Sequence, residues 1–183
     1  MTNEPTTRRG SGAIRGPLLL TLVITIALML RVALVWSELP ETVASHFGAG
    51  GRPNDYMSKG PFFWFLTASV GGSVALVFAA AGMLKRLPAR WLNIPNRDYW
   101  LATDERRDVA MDRIAAPMAW IGLLTAALLA LAVELAIEAN LEQTNFANDL
   151  FIVIMVAYLL LVVAITIRMI RDLAQLADSK DHA

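Results

Sequence analysis

Four long apolar stretches determine what this chain can fold into. An α-helix of about 20 apolar residues crosses the hydrocarbon core of a bilayer, and stretches of that length lie at residues 17–36, 61–84, 114–137 and 150–170. None of them alternates between apolar and polar residues, as strands of a membrane barrel do. We therefore expect an all-α fold, a transmembrane bundle of four helices in one domain.

The composition agrees with a membrane protein and excludes several kinds of site. Of the 183 residues, 56% are hydrophobic and only 17% are charged, which is too apolar for an ordinary soluble domain. Basic and acidic residues number 16 each, so net charge gives no reason to expect a nucleic-acid partner. The chain has no cysteine, which excludes disulfides, thiolate metal sites and cysteine nucleophiles.

The distribution of basic residues predicts the orientation. Thirteen Lys and Arg lie in or beside three segments, at residues 1–16, 85–113 and 171–183. Only two lie in the other connections, at residues 37–60 and 138–149. Because basic flanks resist translocation, we expect both termini and segment 85–113 in the cytoplasm, with segments 37–60 and 138–149 outside.

Apart from Arg168 near the end of the fourth, two charged residues lie within the apolar stretches, Arg31 in the first and Glu134 in the third. A charge near the bilayer centre costs about 2.5 kcal/mol or more, so each needs a partner or water. Counting from the helix ends puts both near the same outer level. They form an ion pair between helices, or each extends to the nearby headgroups; the sequence leaves both open.

Segment 37–60 is the outer connection richest in glycine, proline and polar residues. Glycines at 48, 50 and 51, followed by Pro53, predict tight turns and a compact loop. The candidate ligand or partner residues in it are His46, Phe47, Arg52, Asp55 and Lys59. Their spacing matches no recognised metal or catalytic motif, so we predict no metal ligand, no catalytic residue and no cofactor.

The same segment carries a resemblance to a family. The stretch "LPETVASHFGAGGRPNDYMSKG" is similar to the signature of the bacterial domain-of-unknown-function 1648 (DUF1648) family, at Leu39, Pro40, His46, Phe47, Gly51, Pro53, Asp55, Ser58 and Lys59. A second stretch, "LNIPNRDYWLATDERR", resembles a segment of longer members. The resemblance implies a multi-pass protein of the bacterial plasma (inner) membrane. Distant SdpI-like relatives act in immunity to a secreted toxin and in signalling.

Segment 85–113 offers a second candidate surface. Asparagine, arginine and aromatic side chains next to two prolines, Pro88 and Pro95, suggest docking of a cytoplasmic partner, through Asn93, Asn96, Arg97, Tyr99 and Trp100. A solvated charged helix, capped by Thr103 and continuous with the third span, is the simpler interpretation of the rest. In the second span, small residues predict close helix packing within the chain or between copies, at Ala68, Gly71, Gly72 and Ser73.

These features favour a non-enzymatic membrane protein for sensing, binding, immunity or signalling. Besides the lipid bilayer, the partners it implies are an external peptide or toxin and a cytoplasmic protein. The alternatives are an enzyme that uses His46 and nearby carboxylates at the outer face, and a small transporter. The few polar residues near mid-span count against a transporter.

Overall fold

The computed structural model describes residues 9–181, with side chains for residues 13–176. Four long helices, one short helix and a two-stranded hairpin follow in chain order: α1 (Arg9–Val35), β1 (Thr42–Phe47), β2 (Pro53–Ser58), α2 (Lys59–Met83), α3 (Arg97–Trp100), α4 (Asp104–Leu141) and α5 (Asn148–Asp181). Single 3-10 turns lie at Ala49–Gly51, Leu84–Arg86 and Ala89–Trp91. The basic residues Arg8 and Lys180 and the second histidine, His182, lie outside the residues with described side chains.

Four of the helices, α1, α2, α4 and α5, are long and apolar enough to cross a membrane. This confirms a mostly helical chain with four candidate spans. The helices extend beyond the apolar stretches because a helical backbone continues to satisfy its own hydrogen bonds in polar flanks. Helix α4, for example, has 38 residues. It begins after Thr103, whose hydroxyl accepts a hydrogen bond from the Arg106 amide at 3.2 Å, as in an N-cap.

The central element is α4, which packs against α1, α2 and α5. Small side chains on its buried faces allow the neighbours to approach closely. At Gly122 the approach is closest, because a Cβ atom there would lie 2.7 Å from Val77 Cγ1 of α2. The predicted bundle is therefore organised around one helix.

Helix α2 does not use its predicted small residues to reach α4. Ala68 and Gly72 are exposed, and a Cβ atom at Gly71 or Gly72 would meet no atom within 4 Å. The buried residues of α2 are instead Phe62, Phe63, Val70 and Ala81. Oligomerisation through the small residues stays a prediction.

The helices place the connections at two ends of the bundle. The hairpin end consists of residues 36–58 and 142–147, and a buried apolar cluster beneath it includes Val35, Val43 and Ile137. The basic end consists of residues 84–103 with the start of α1 and the end of α5, and it has its own buried cluster. The candidate residues of the hairpin and of segment 84–103 therefore lie over two buried apolar clusters, one at each end of the bundle.

Candidate functional site

The compact loop predicted after the first span is a β-hairpin. Strands β1 and β2 are antiparallel, with Ala44 opposite Tyr56, and a bulge then brings His46 opposite Asp55. Gly50 and Gly51 have φ of 71° and 73° in the turn, a left-handed conformation that favours glycine. The glycines predicted the turn correctly, whereas the strands were not expected.

One buried amide on α4 holds the hairpin. The Ala44 N–H donates to Asn140 Oδ1 at 2.6 Å, and Asn140 Nδ2 donates back to the Ala44 carbonyl at 3.2 Å. The same Nδ2 also donates to the Ala136 carbonyl at 2.8 Å. Asn140 is only 3% exposed, so these bonds satisfy a polar group that burial would otherwise penalise. Its amide thus pairs with β1 as a neighbouring strand would.

The hairpin turn is fixed by the connection between α4 and α5. The Phe146 N–H donates to the Gly51 carbonyl at 2.9 Å, and the Phe146 ring lies 5.1 Å from that of Phe47, centroid to centroid. A Cβ atom at Gly51 would lie 2.0 Å from the Phe146 carbonyl oxygen. Only glycine fits there. Phe47, predicted to face a ligand, therefore packs within the chain.

Lys59 joins the start of β1 to the start of α2. Its ammonium lies 2.9 Å from Glu41 Oε1 and donates to the carbonyls of Trp36 and Leu39, each at 3.2 Å. It also lies 5.3 Å from the centre of the Trp36 ring. With its side chain only 12% exposed, Lys59 orders the base of the hairpin more than it presents a charge to a ligand.

The remaining predicted residues of this segment, His46, Arg52 and Asp55, are exposed. His46 Nδ1 lies 2.6 Å from Asn54 Oδ1. An amide oxygen only accepts, so Nδ1 is the donor in this contact. Asp55 Oδ1 accepts from the Tyr56 amide at 2.8 Å. Among the described residues, no group of three His, Cys, Asp or Glu side chains is placed to hold a metal ion.

A polar cavity of about 270 Å³ lies between the hairpin and the end of α4. Its wall contains no charged residue and consists of Thr42, Ala44, Pro53, Tyr56, Ala139, Asn140, Gln143, Thr144 and Asn145. Helix α4 ends beside it with Gln143 in a left-handed conformation and the Thr144 amide bonded to the Ala139 carbonyl at 3.0 Å. That ending turns residues 143–145 toward the hairpin. Apart from Pro53, no residue of this wall was expected from the sequence to take part in a site.

The two charges inside the spans lie together in the structure. Arg31 Nε is 2.8 Å from Glu134 Oε1, and the two side chains are 39% and 32% exposed. The contact joins α1 to α4 a short distance below the hairpin end. A pair of opposite charges lowers the cost of holding either one among apolar helices.

At the basic end, two of the predicted docking residues are buried. Trp100 is 3% exposed and its Nε1 donates to the Leu173 carbonyl of α5 at 3.0 Å. Tyr99 is 9% exposed, packs edge-on against Trp100 and is covered by the Arg106 guanidinium at 4.2 Å. Their aromatic faces pack within the core of this chain, and a docking role for these two residues stays a prediction.

The other residues of that surface are exposed, namely Asn93, Asn96 and Arg97. Asn96 donates to the Ala174 carbonyl of α5 at 3.1 Å. Arg97 donates to the carbonyls of Leu92 and Ala89, at 3.2 and 3.1 Å. The Asn96 bond holds segment 84–103 against α5, and the Arg97 bonds order the segment itself. The side of the segment away from α5 stays exposed.

Comparison with known proteins supports the motif on the hairpin. Residues 22–69, from α1 through the hairpin into α2, match the family described as "Domain of unknown function (DUF1648)". An uncharacterized protein of Archaeoglobus fulgidus is 29% identical over 129 residues, which cover 68% of this chain and 68% of that protein. No solved structure matches the chain. Over residues 22–69 the chain is therefore similar to the DUF1648 family, as the motif around the hairpin predicts.

Proposed function

We propose that this chain is a non-enzymatic membrane protein that binds or senses a ligand at its hairpin end. The observation that carries the proposal is the way the hairpin is held. Asn140, Phe146 and Lys59 fix its strand, turn and base. A segment that only joined two spans would need no such contacts, whereas a binding surface gains affinity when its side chains are held in place beforehand.

The proposed location is the plasma (inner) membrane of a bacterium, with the hairpin end outside and the basic end in the cytoplasm. Basic residues support this orientation, because the segments at the basic end hold thirteen Lys and Arg in or beside them and those at the hairpin end hold two. The exposed residues His46, Arg52 and Asp55 then face the external ligand. A secreted peptide or toxin is one such ligand.

The proposed role of the basic end is contact with a cytoplasmic protein. Its exposed side chains include Asn93 and Arg97, placed by the fold of segment 84–103 on α5. A signalling or immunity role would use such an arrangement, an external binding face and an internal contact face joined by helices. Helix α4 runs from the basic end to the hairpin end, and the ion pair of its Glu134 with Arg31 joins it to α1 near the hairpin end.

The enzyme alternative has less support from the geometry. His46 is the candidate general base, but its ring nitrogen bonds to the amide of Asn54 and not to a carboxylate that would stabilise its charged form. The transporter alternative depends on polar groups within the spans. The contact there between Thr125 Oγ1 and the Tyr158 hydroxyl, at 2.8 Å, satisfies both groups within the chain.

Complementation of a deletion strain tests the proposal. The combined variant His46→Ala, Arg52→Ala and Asp55→Ala removes the three exposed residues proposed to face the ligand and leaves Lys59 at the base of the hairpin. We expect loss of protection in an envelope-stress or toxin-sensitivity assay. Glu142→Ala, an exposed charge beside the hairpin, is the matched control. Full complementation by the triple variant, at equal amounts in the membrane, would remove the hairpin face from the mechanism.

A further inference from the structure

The cavity between the hairpin and the end of α4 is lined by polar groups that the fold itself does not use. Asn140 is occupied by its bonds to Ala44 and Ala136. By contrast, the side chains of Thr42, Tyr56, Thr144 and Asn145 make no hydrogen bond to any residue that the structure describes. Four hydroxyl and amide groups from three separate segments therefore line one cavity, each on an exposed residue whose side chain bonds to no described part of the chain.

The chemistry of the wall limits what fits. Among the described residues, no Asp, Glu, Lys, Arg or His lines the cavity. The wall therefore offers no opposite charge to offset the cost of removing a charged ligand from water. A peptide joining the hairpin as an extra strand would need free backbone groups at β1. At Ala44 both of those groups are already bonded to Asn140. The uncharged polar wall therefore favours an uncharged ligand with several hydroxyl groups.

Tyr56 adds an apolar surface to this polar set. It is 58% exposed, on β2 opposite Ala44, and a tyrosine ring combines an apolar face with a polar hydroxyl. A pyranose has matching surfaces, with C–H groups on its ring face and hydroxyls around its rim. A cavity of about 270 Å³ suits a ligand of one or two rings, since it lies just below the range of about 300–1,000 Å³ found for drug-sized ligands.

We propose that this cavity binds an uncharged saccharide. The Tyr56 ring packs on one sugar face, while Thr144 and Asn145 bond to its hydroxyls and Thr42 closes the side formed by β1. The inference goes beyond the proposed function, because none of His46, Arg52 and Asp55 lines this cavity. It places the saccharide on the side of the hairpin facing α4, where Asn140 holds β1 in position to form the wall.

Binding is measured on the full chain in phospholipid nanodiscs, purified in a zwitterionic detergent because glycoside detergents carry sugar headgroups. Saturation-transfer NMR and titration use two neutral disaccharides, maltose and diacetylchitobiose, as probes. Glucuronate and a capped tetra-alanine peptide test a charged sugar and a peptide. The variants are Tyr56→Ala and the double variant Thr144→Ala with Asn145→Ala, with Glu142→Ala as the control outside the cavity wall.

We expect at least one neutral disaccharide to bind, and to bind about tenfold more weakly in each cavity variant while Glu142→Ala binds as the parent does. Glucuronate and the peptide should not compete. Failure of both disaccharides, unchanged binding in the cavity variants, or binding of the peptide alone would overturn the saccharide. Those results leave the complementation test of the hairpin face untouched, and full complementation by the hairpin triple variant would end the proposed function even if a sugar bound.

Discussion

Asn140 of α4 bonds to both backbone groups of Ala44 in β1, with its Oδ1 2.6 Å from the Ala44 nitrogen. The two residues lie 96 positions apart. One side chain thereby takes the place of a third strand and fixes the hairpin on the helices. Because Asn140 is 3% and Ala44 5% exposed, the loss of either bond leaves a polar group largely shielded from water.

Asn140→Ala should therefore release the hairpin while leaving the four spans folded. Leaving the buried groups of Ala44 unpaired costs about 1–3 kcal/mol. The measurement is hydrogen exchange in nanodiscs, where we expect faster exchange at residues 43–58 and unchanged exchange in the middle of α4. Equal protection of the hairpin in the variant and the parent would contradict the role given to Asn140, and Glu142→Ala provides the control.

Substitutions at two adjacent glycines, Gly50 and Gly51, distinguish the cost of backbone strain from the cost of a steric clash. Both have positive φ, but a Cβ atom at Gly50 would meet nothing within 4 Å, whereas one at Gly51 would collide with the Phe146 carbonyl. Gly50→Ala should cost about 1–2 kcal/mol for the left-handed conformation alone. Gly51→Ala should cost clearly more and also loosen the contact with Phe146. Hairpin exchange rates measure both, and equal effects would show that the turn does not press against residue 146.

The sequence predicts the spans because a bilayer leaves an apolar stretch of this length one geometry. It also predicts the turn at Gly50 and Gly51. The role of Asn140 could not be predicted from the sequence. A single amide can bond to any peptide group within reach, and no sequence pattern near residue 140 indicates a partner 96 positions away. Its one signal is a lone asparagine near the end of an apolar helix.

Segment 84–103 shows a different limit. Tyr99 and Trp100 lie near the predicted membrane boundary. Aromatic residues there can anchor to headgroups, bind a partner or fill a core, and all three roles give the same sequence pattern. Burial against α5 decides among these, since Trp100 donates to Leu173, which is itself 1% exposed. That contact depends on how the last helix folds back, which a local pattern does not contain.

The ion pair of Arg31 and Glu134 is tested by a double-mutant cycle. Arg31→Ala and Glu134→Ala should each destabilise the chain, and the double variant should lose less than the sum. We expect a coupling free energy of about 1 kcal/mol, as polar contacts between membrane helices give. Unfolding in mixed micelles measures it. Additive losses, with no recovery in the exchanged pair Arg31→Glu and Glu134→Arg, would mean that each charge reaches the headgroups independently.

Substitutions at two glycines, one in a close helix contact and one facing open space, test the packing of α2 on α4. Gly122 lies against Val77, whereas Gly72 faces open space. Gly122→Leu should force the helices apart and cost about 1–3 kcal/mol by overpacking. Gly72→Leu should leave the unfolding free energy of the single chain unchanged. If Gly72→Leu also converts an oligomer to a monomer in light scattering, the small residues of α2 form the contact between copies.

The central claim, that the hairpin end faces outward and the basic end faces the cytoplasm, is tested most directly by cysteine labelling in intact cells. The chain has no cysteine, so Ala49→Cys in the hairpin turn and Ala102→Cys before α4 each give a single thiol at an exposed position. We predict that a membrane-impermeant maleimide labels position 49 in intact cells and position 102 only after permeabilisation. Labelling of position 102 in intact cells with position 49 protected would contradict the orientation and the ligand-binding role built on it.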